Sequence, residues 1–122
     1  MWLDIVKFII SKYQDSKKLK IESRNRLSDI FSEISELIYS TVDKLKSDIY
    51  PQHSCFILKS LSEEIIIHLK DITDVEILKD LHEKLIQASN LEAEYAKRKD
   101  EHTIEKLIYI GAKFKSLAIL YK

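Results

Sequence analysis

Apolar residues recur along this chain mainly at spacings of three and four, the period of an amphipathic α-helix. The first such segment covers about residues 2–14. At 100° per residue, one continuous arc of this segment holds seven apolar side chains: Trp2, Leu3, Ile5, Val6, Ile9, Ile10 and Tyr13. Polar residues, including Asp4 and Lys7, gather on the opposite side. The pattern predicts a short amphipathic N-terminal helix, called helix 1 below.

A polar link around Asp15 and Ser16 separates helix 1 from a long second helix, predicted over about residues 17–49. Its inward positions are Leu27, Phe31, Ile34, Ile38, Val42, Leu45 and Ile49. Pro51 should end this helix, because proline lacks the backbone N–H of a helix interior and disfavours helical geometry in the preceding residue. Proline suits the first turn of the helix that follows.

The third predicted helix runs to about Lys70, with Cys55, Leu58, Leu61, Ile65 and Leu69 inward. Thr73 and Glu76 have the spacing of a capping box and predict the start of the fourth helix. That helix turns Leu78, Leu81, Leu85, Ala88 and Tyr95 inward. The polar stretch 97–103 interrupts the apolar phase, so we expect a turn near Asp100.

The fifth predicted helix has more apolar surface than one seam requires. Its three-four seam is Ile104, Leu107, Gly111, Phe114, Ala118 and Tyr121, and it also carries Ile108, Tyr109, Ile110, Leu117, Ile119 and Leu120. Either this helix is buried on several sides or part of it meets a partner. The segments together predict one all-α domain, residues 1–122: a four-helix bundle over about 17–121 with helix 1 attached.

Composition supports the all-α prediction and narrows the function. The 122 residues include one glycine and one proline, too few for the many turns of a β-rich domain. Twenty basic residues balance twenty acidic ones, so we expect no nucleic-acid partner. The single cysteine, Cys55, excludes an internal disulfide, and we expect a cytoplasmic protein. The sequence lacks both a spanning run of roughly 20 apolar residues and a signal peptide at its start.

Residues suited to catalysis or metal binding do not form a recognisable site. Glu64 and His68 share a helix face, but one such pair on a charged helix is typical of a solvated pair. Cys55 follows His53 by two residues, and such residues do not face each other on a helix. One glycine cannot build a phosphate-binding loop. We therefore expect a non-enzymatic protein without a metal, a cofactor or a small-molecule substrate.

A basic segment follows helix 1. Residues 12–26 contain Lys12, Lys17, Lys18, Lys20, Arg24 and Arg26 against Asp15 and Glu22. An apolar amphipathic helix beside a basic cluster is typical of proteins that bind anionic membrane surfaces. The simpler interpretation is that helix 1 covers the core and that these cations are solvated. In either case we expect the apolar arc to be covered in the resting protein, because an exposed patch of this kind aggregates.

The small residues of the fifth helix predict close helix packing. Glycine inside a helix is about 1 kcal/mol less favourable than alanine, so Gly111 needs a structural reason. Close approach of a neighbouring helix is one such reason. We expect the contact to include Gly111, Ala112, Phe114 and Ala118.

Several motifs resemble a helical module found in cyanobacterial and other bacterial proteins. They are Trp2–Leu3 opening an apolar helix, Arg24–Asn25–Arg26 leading into Ile30–Phe31, Pro51 followed by Cys55, and the closing run of residues 110–118, IGAKFKSLA. The closing run is similar to the module's alanine-glycine-lysine-phenylalanine-arginine-alanine-leucine-alanine ending, with the small pair rearranged. The resemblance covers nearly the whole chain and concerns packing motifs.

Such modules often stand at the N-terminus of multidomain signalling and conflict proteins, and some resemble the bacterial Bell domains and the fungal HeLo cell-death domains. The resemblance implies two functional hypotheses. The first is an effector of a bacterial immune or cell-death response that acts at membranes through helix 1. The second is an adaptor or oligomerisation module that binds a protein partner or itself. The effector hypothesis requires helix 1 to be exposed or releasable.

Overall fold

The computed structural model describes residues 2–47, 49, 52–97 and 101–122, except the side chains of 52, 53, 90–97 and 101. Within these residues the fold is all-helical and contains no strand. The α-helices are α1 (Trp2–Ser11), α2 (Tyr13–Ser16), α3 (Ile21–Lys46), α4 (Gln52–Leu69), α5 (Val75–Lys97) and α6 (Glu101–Leu120). A 3₁₀ turn, Lys70–Ile72, follows α4. The all-α prediction is therefore confirmed.

The predicted boundaries differ from the observed ones mainly near the N-terminus. The predicted helix 1 is split into α1 and the one-turn α2, and the long helix begins at Ile21 rather than near residue 17. Ile49 was expected to face inward, but it lies beyond the end of α3 and is 54% exposed. The expected roles of Pro51 and of a turn near Asp100 concern residues outside the described ranges.

The start of α5 depends on Asp74 rather than on the predicted capping box. The backbone N–H of Glu76 donates to Oδ1 of Asp74 over 2.8 Å, which satisfies one of the unpaired N–H groups of the first turn. Thr73 is buried, and its hydroxyl has no hydrogen-bond partner. The prediction was wrong by one residue because aspartate and threonine are both good capping residues.

The helices pair in a continuous circuit. Among the described residues, the principal contacts join α3 to α6, α3 to α4, α4 to α5, and α1 to both α6 and α5. The α3–α6 pair is antiparallel, because the hydroxyl of Ser28 donates to the carbonyl of Ala118 and that of Ser35 to the carbonyl of Gly111. Helix α1 has a structural role, because it contacts both α5 and α6.

A single apolar cluster fills the space enclosed by this circuit. Every α-helix except the one-turn α2 contributes buried apolar residues to it. The largest fully buried side chains include Trp2 from α1, Phe31 from α3, Phe114 from α6 and Tyr121 just beyond the end of α6. Phe31 lies between the other rings, with centroids 6.2 Å from Phe114 and 5.2 Å from Tyr121.

Candidate functional site

Helix α1 turns one side of its apolar arc into the core and leaves the other side exposed. Its buried residues are Trp2, Ile5, Val6 and Ile9. Leu3 and Ile10, from the same predicted arc, are 37% and 49% exposed, and Tyr13 is half-buried. The arc is wider than the contact surface that α5 and α6 offer to α1, so its edge remains in solvent.

One aromatic contact and one hydrogen bond hold α1 against the C-terminal segment that contains α6. The ring of Trp2 packs edge-on to that of Phe114 at 5.5 Å between centroids. The hydroxyl of Tyr121 donates to the carbonyl of Ile9 over 2.6 Å. Trp2 and Ile9 are seven residues apart, and so are their partners Phe114 and Tyr121. Helices α1 and α6 therefore run in the same direction with their side chains in register.

Burial changes the acidity of Tyr121. Desolvation of its phenol raises the pKa above the ordinary tyrosine value, because the charged phenolate is poorly stabilised in the apolar core. The neutral hydroxyl therefore persists well into alkaline solution and keeps its hydrogen bond to Ile9.

The basic segment that follows α1 divides into two groups. Lys17, Lys18 and Lys20 are exposed around the short α2 and the link to α3. Lys17 Nζ lies 5.3 Å from the centre of the Tyr13 ring, and the Arg24 guanidinium lies 5.7 Å from the same ring. Two cations thus lie close to the half-buried Tyr13. We call the exposed Lys17, Lys18 and Lys20 the positive corner; Asp15, Asp71 and Asp74 line a surface pocket together with Lys18.

The other basic residues of the segment make structural contacts. Lys12 Nζ donates to the carbonyl of Ile72 over 3.3 Å, which ties the end of α1 to the 3₁₀ turn. Arg26 donates from Nε and Nη2 to Oε2 of Glu64, at 2.8 and 2.6 Å, and from Nη1 to Oε1 of Glu33 at 3.3 Å. The hydrogen bonds that Arg26 donates to Glu64 are the largest reason that the pKa of Arg26 is raised. Arg26 therefore joins α3 to α4.

The glycine of α6 lies at a close contact with α3. A Cβ atom at Gly111 would stand 2.8 Å from Cε1 of Tyr39, closer than real side chains approach. Phe114 and Ala118 are buried beside it, whereas Ala112 is exposed and lies outside this contact. The absence of a Cβ at Gly111 makes room for the Tyr39 ring.

Sequence reasoning missed the two serines that join α3 to α6. Ser28 and Ser35 are seven residues apart and lie among the inward apolar positions of α3. A short hydroxyl-bearing side chain repeated at that spacing on an apolar face was a usable signal. It indicates a face that approaches another backbone closely enough to hydrogen bond with it.

The sequence offered Glu64, His68, His53 and Cys55 as candidates for metal binding or catalysis. The residues that the structure describes include no group of three or more His, Cys, Asp or Glu side chains placed to hold a metal ion. Glu64, which shares a helix face with His68, accepts a hydrogen bond from Arg26. Cys55 is half-buried rather than fully buried, and the side chain of His53 lies outside the described part of the chain.

No protein-family model, curated protein or solved structure matches this chain. None of the helices, in the part of the chain that the structure describes, has the length and apolar character needed to cross a bilayer.

Proposed function

We propose that this chain is a non-enzymatic helical module that acts at anionic membrane surfaces, as an effector of a bacterial immune or cell-death response. The biological setting follows from the resemblance of its packing motifs to bacterial Bell-type modules. We propose further that α3 to α6 form a four-helix bundle to which α1 is attached, in the cytoplasm. The pairings of α3 with α4 and α6, and of α4 with α5, support this arrangement.

The observation that carries the membrane proposal is the positive corner beside α1. Lys17, Lys18 and Lys20 are exposed in the segment that follows α1, and Leu3 and Ile10 of α1 are exposed as well. Lysines near an anionic bilayer contribute about 1 kcal/mol each to binding. Exposed apolar side chains of an amphipathic helix can enter the headgroup region.

Vesicle flotation tests this proposal. The protein should bind vesicles of phosphatidylcholine with phosphatidylserine and not vesicles of phosphatidylcholine alone, and added salt should weaken binding. Replacing Lys17, Lys18 and Lys20 by glutamate should reduce the partition coefficient by at least about tenfold. The same change at the exposed Lys46, Lys59 and Lys79 alters the net charge equally and serves as the control. Absence of binding to anionic vesicles at low salt would refute the proposal.

The second candidate is an adaptor or oligomerisation module, and it too rests on an observation. The buried side of α1 is held by Trp2 and by the Tyr121 hydrogen bond, while α6 keeps Ile108, Tyr109, Ile119 and Leu120 partly exposed. An apolar face on a helix that remains packed suits a protein partner. Sedimentation equilibrium tests self-association: a concentration-dependent dimer that Ile119→Glu abolishes would favour this candidate.

A further inference from the structure

The outer face of α6 is an apolar stripe on the side of the helix opposite its buried residues. Its members are exposed in whole or in part, and at 100° per residue they fall on one side of the helix. They are Ile108, Tyr109, Ala112, Ser116, Ile119 and Leu120, with Ile119 69% exposed. Small residues occupy the middle of the stripe and large ones its two ends. We call this set the outer face of α6.

Lysines border the outer face of α6 on both edges. On the helical wheel Lys106 and Lys113 lie along one edge and Lys115 and Lys122 along the other. The ammonium group of Lys113 stands 5.2 Å from the centre of the Tyr109 ring. Glu105 precedes the stripe by one turn, so the C-terminal end, around Leu120, is the more apolar and more basic end.

The exposed edge of α1 lies on the side of that helix nearer to α6. Ile5 and Phe8 of α1 line a small cleft with Ile77 and Leu81 of α5, which places α5 on that side of α1. Leu3 and Ile10 lie on the other side of the wheel, next to Trp2 and so towards α6. Because α1 runs beside α6 from Phe114 to Tyr121, Leu3 and Ile10 are exposed on the side of α1 that is turned towards α6.

We propose that the outer face of α6, together with Leu3 and Ile10, is the surface that docks on an anionic membrane, and that it does so while α1 stays packed. This inference rests on the membrane function proposed above and replaces release of helix 1 as its mechanism. A stripe of apolar and aromatic side chains bordered by lysines has the arrangement of a helix lying in the bilayer interface. There the lysine stems cover apolar surface while their ammonium groups reach the phosphates.

Charge distinguishes this occupant from a second copy of the chain. If two outer faces met in an antiparallel pair about the level of Phe114, the apolar residues would match. However, Lys113 would stand beside Lys113 of the second copy, and Lys115 beside Lys115. Like charges at a symmetric interface oppose each other. An anionic surface instead complements both edges of the stripe at once.

Matched substitutions test the surface by flotation with phosphatidylcholine–phosphatidylserine vesicles. Ile119→Glu should lower the partition coefficient about tenfold or more, and Ile67→Glu, on a comparably exposed isoleucine of α4, should leave it unchanged. The pair Lys113→Glu with Lys115→Glu should lower it by a similar factor. The pair Lys59→Glu with Lys79→Glu is the control of equal net charge. Circular dichroism melts of all variants check that each remains folded.

The single tryptophan reports whether α1 is released. Trp2 is 2% exposed in the core, so its emission should be quenched neither by aqueous acrylamide nor by brominated lipid when the protein binds vesicles. If Trp2 becomes quenchable by brominated lipid or by acrylamide on binding, and Ile119→Glu binds as the parent does, this inference is overturned and the membrane function stands. Failure of the parent to bind anionic vesicles at all would refute the membrane function and this surface with it.

Discussion

At the scale of single residues, the close approach of α3 to α6 explains why the one glycine of the chain lies inside a helix. Ser28 and Ser35 donate to carbonyls of α6, and the ring of Tyr39 occupies the space where a side chain at Gly111 would begin. Alanine at that position would favour the helix by about 1 kcal/mol but would press on the ring. The glycine therefore reflects a tertiary contact and not a local preference.

Gly111→Leu should destabilise the protein by about 1–3 kcal/mol, because the added side chain overpacks the contact with Tyr39. Chemical denaturation measures the change in free energy of unfolding. In a double-mutant cycle, Tyr39→Ala should recover part of the loss, since it removes the atoms that the leucine would strike. A leucine variant as stable as the parent would show that α3 can move away at no cost.

Tyr121→Phe should reduce stability by about 0.5–1.5 kcal/mol at neutral pH through loss of the hydrogen bond to Ile9. It should also change the alkaline limit of stability. The folded-state pKa of Tyr121 lies above the unfolded value near 10. Its contribution is therefore complete below pH 10 and declines as the pH rises further. The parent should lose stability faster than the variant above pH 10, and parallel pH profiles would contradict this assignment.

At the scale of elements, α1 is short although several of its side chains are buried. Trp2, Ile5 and Ile9 are fully or almost fully buried, but the helix has ten residues, and its principal contacts are with α5, α6 and the one-turn α2. Short elements open more readily than long central ones, since fewer contacts must break together. The antiparallel α3–α6 pair has hydrogen bonds as well as apolar contacts between its members.

We expect α1 to open at lower free energy than the α3–α6 pair. Native-state hydrogen exchange should give smaller opening free energies for amides of α1 than for amides around Ile34 and Phe114. In a urea titration, the fluorescence of Trp2 should change before the far-ultraviolet circular dichroism signal. Coincident transitions with equal exchange free energies would show instead that α1 unfolds only with the whole molecule.

At the scale of the whole molecule, one apolar cluster joins the helices, which favours a single cooperative unit. The calorimetric enthalpy of unfolding should equal the van't Hoff enthalpy, with a value on the order of 0.7 kcal/mol per residue. If α1 opens before the rest of the molecule, the van't Hoff enthalpy should fall only slightly below the calorimetric enthalpy, because α1 holds few residues. Two resolved calorimetric transitions would contradict the assignment of residues 1–122 to one domain.

The fold class was predictable because it depends on local information. The three-four periodicity and the scarcity of glycine and proline are properties of the chain, and they favour helices before the neighbours of each segment are known. The inward positions of α3 and α6 followed from the same period, as Phe31, Ile34, Leu107 and Phe114 show. The start of α5 was located to within one residue, since Asp74 and Thr73 are both competent caps.

Tertiary structure alone decided which apolar residues stay exposed and what each helix meets. Periodicity gave helix 1 one wide arc, and only the positions of α5 and α6 separate the buried Trp2 from the exposed Leu3 and Ile10. It gave α6 two apolar sides, and only the packing of α3 and α1 determines that Ile119 faces outward. The physical reason is that the sequence of a helix determines which directions around its axis carry apolar side chains. Burial of those side chains depends on how many neighbouring helices the fold places against them.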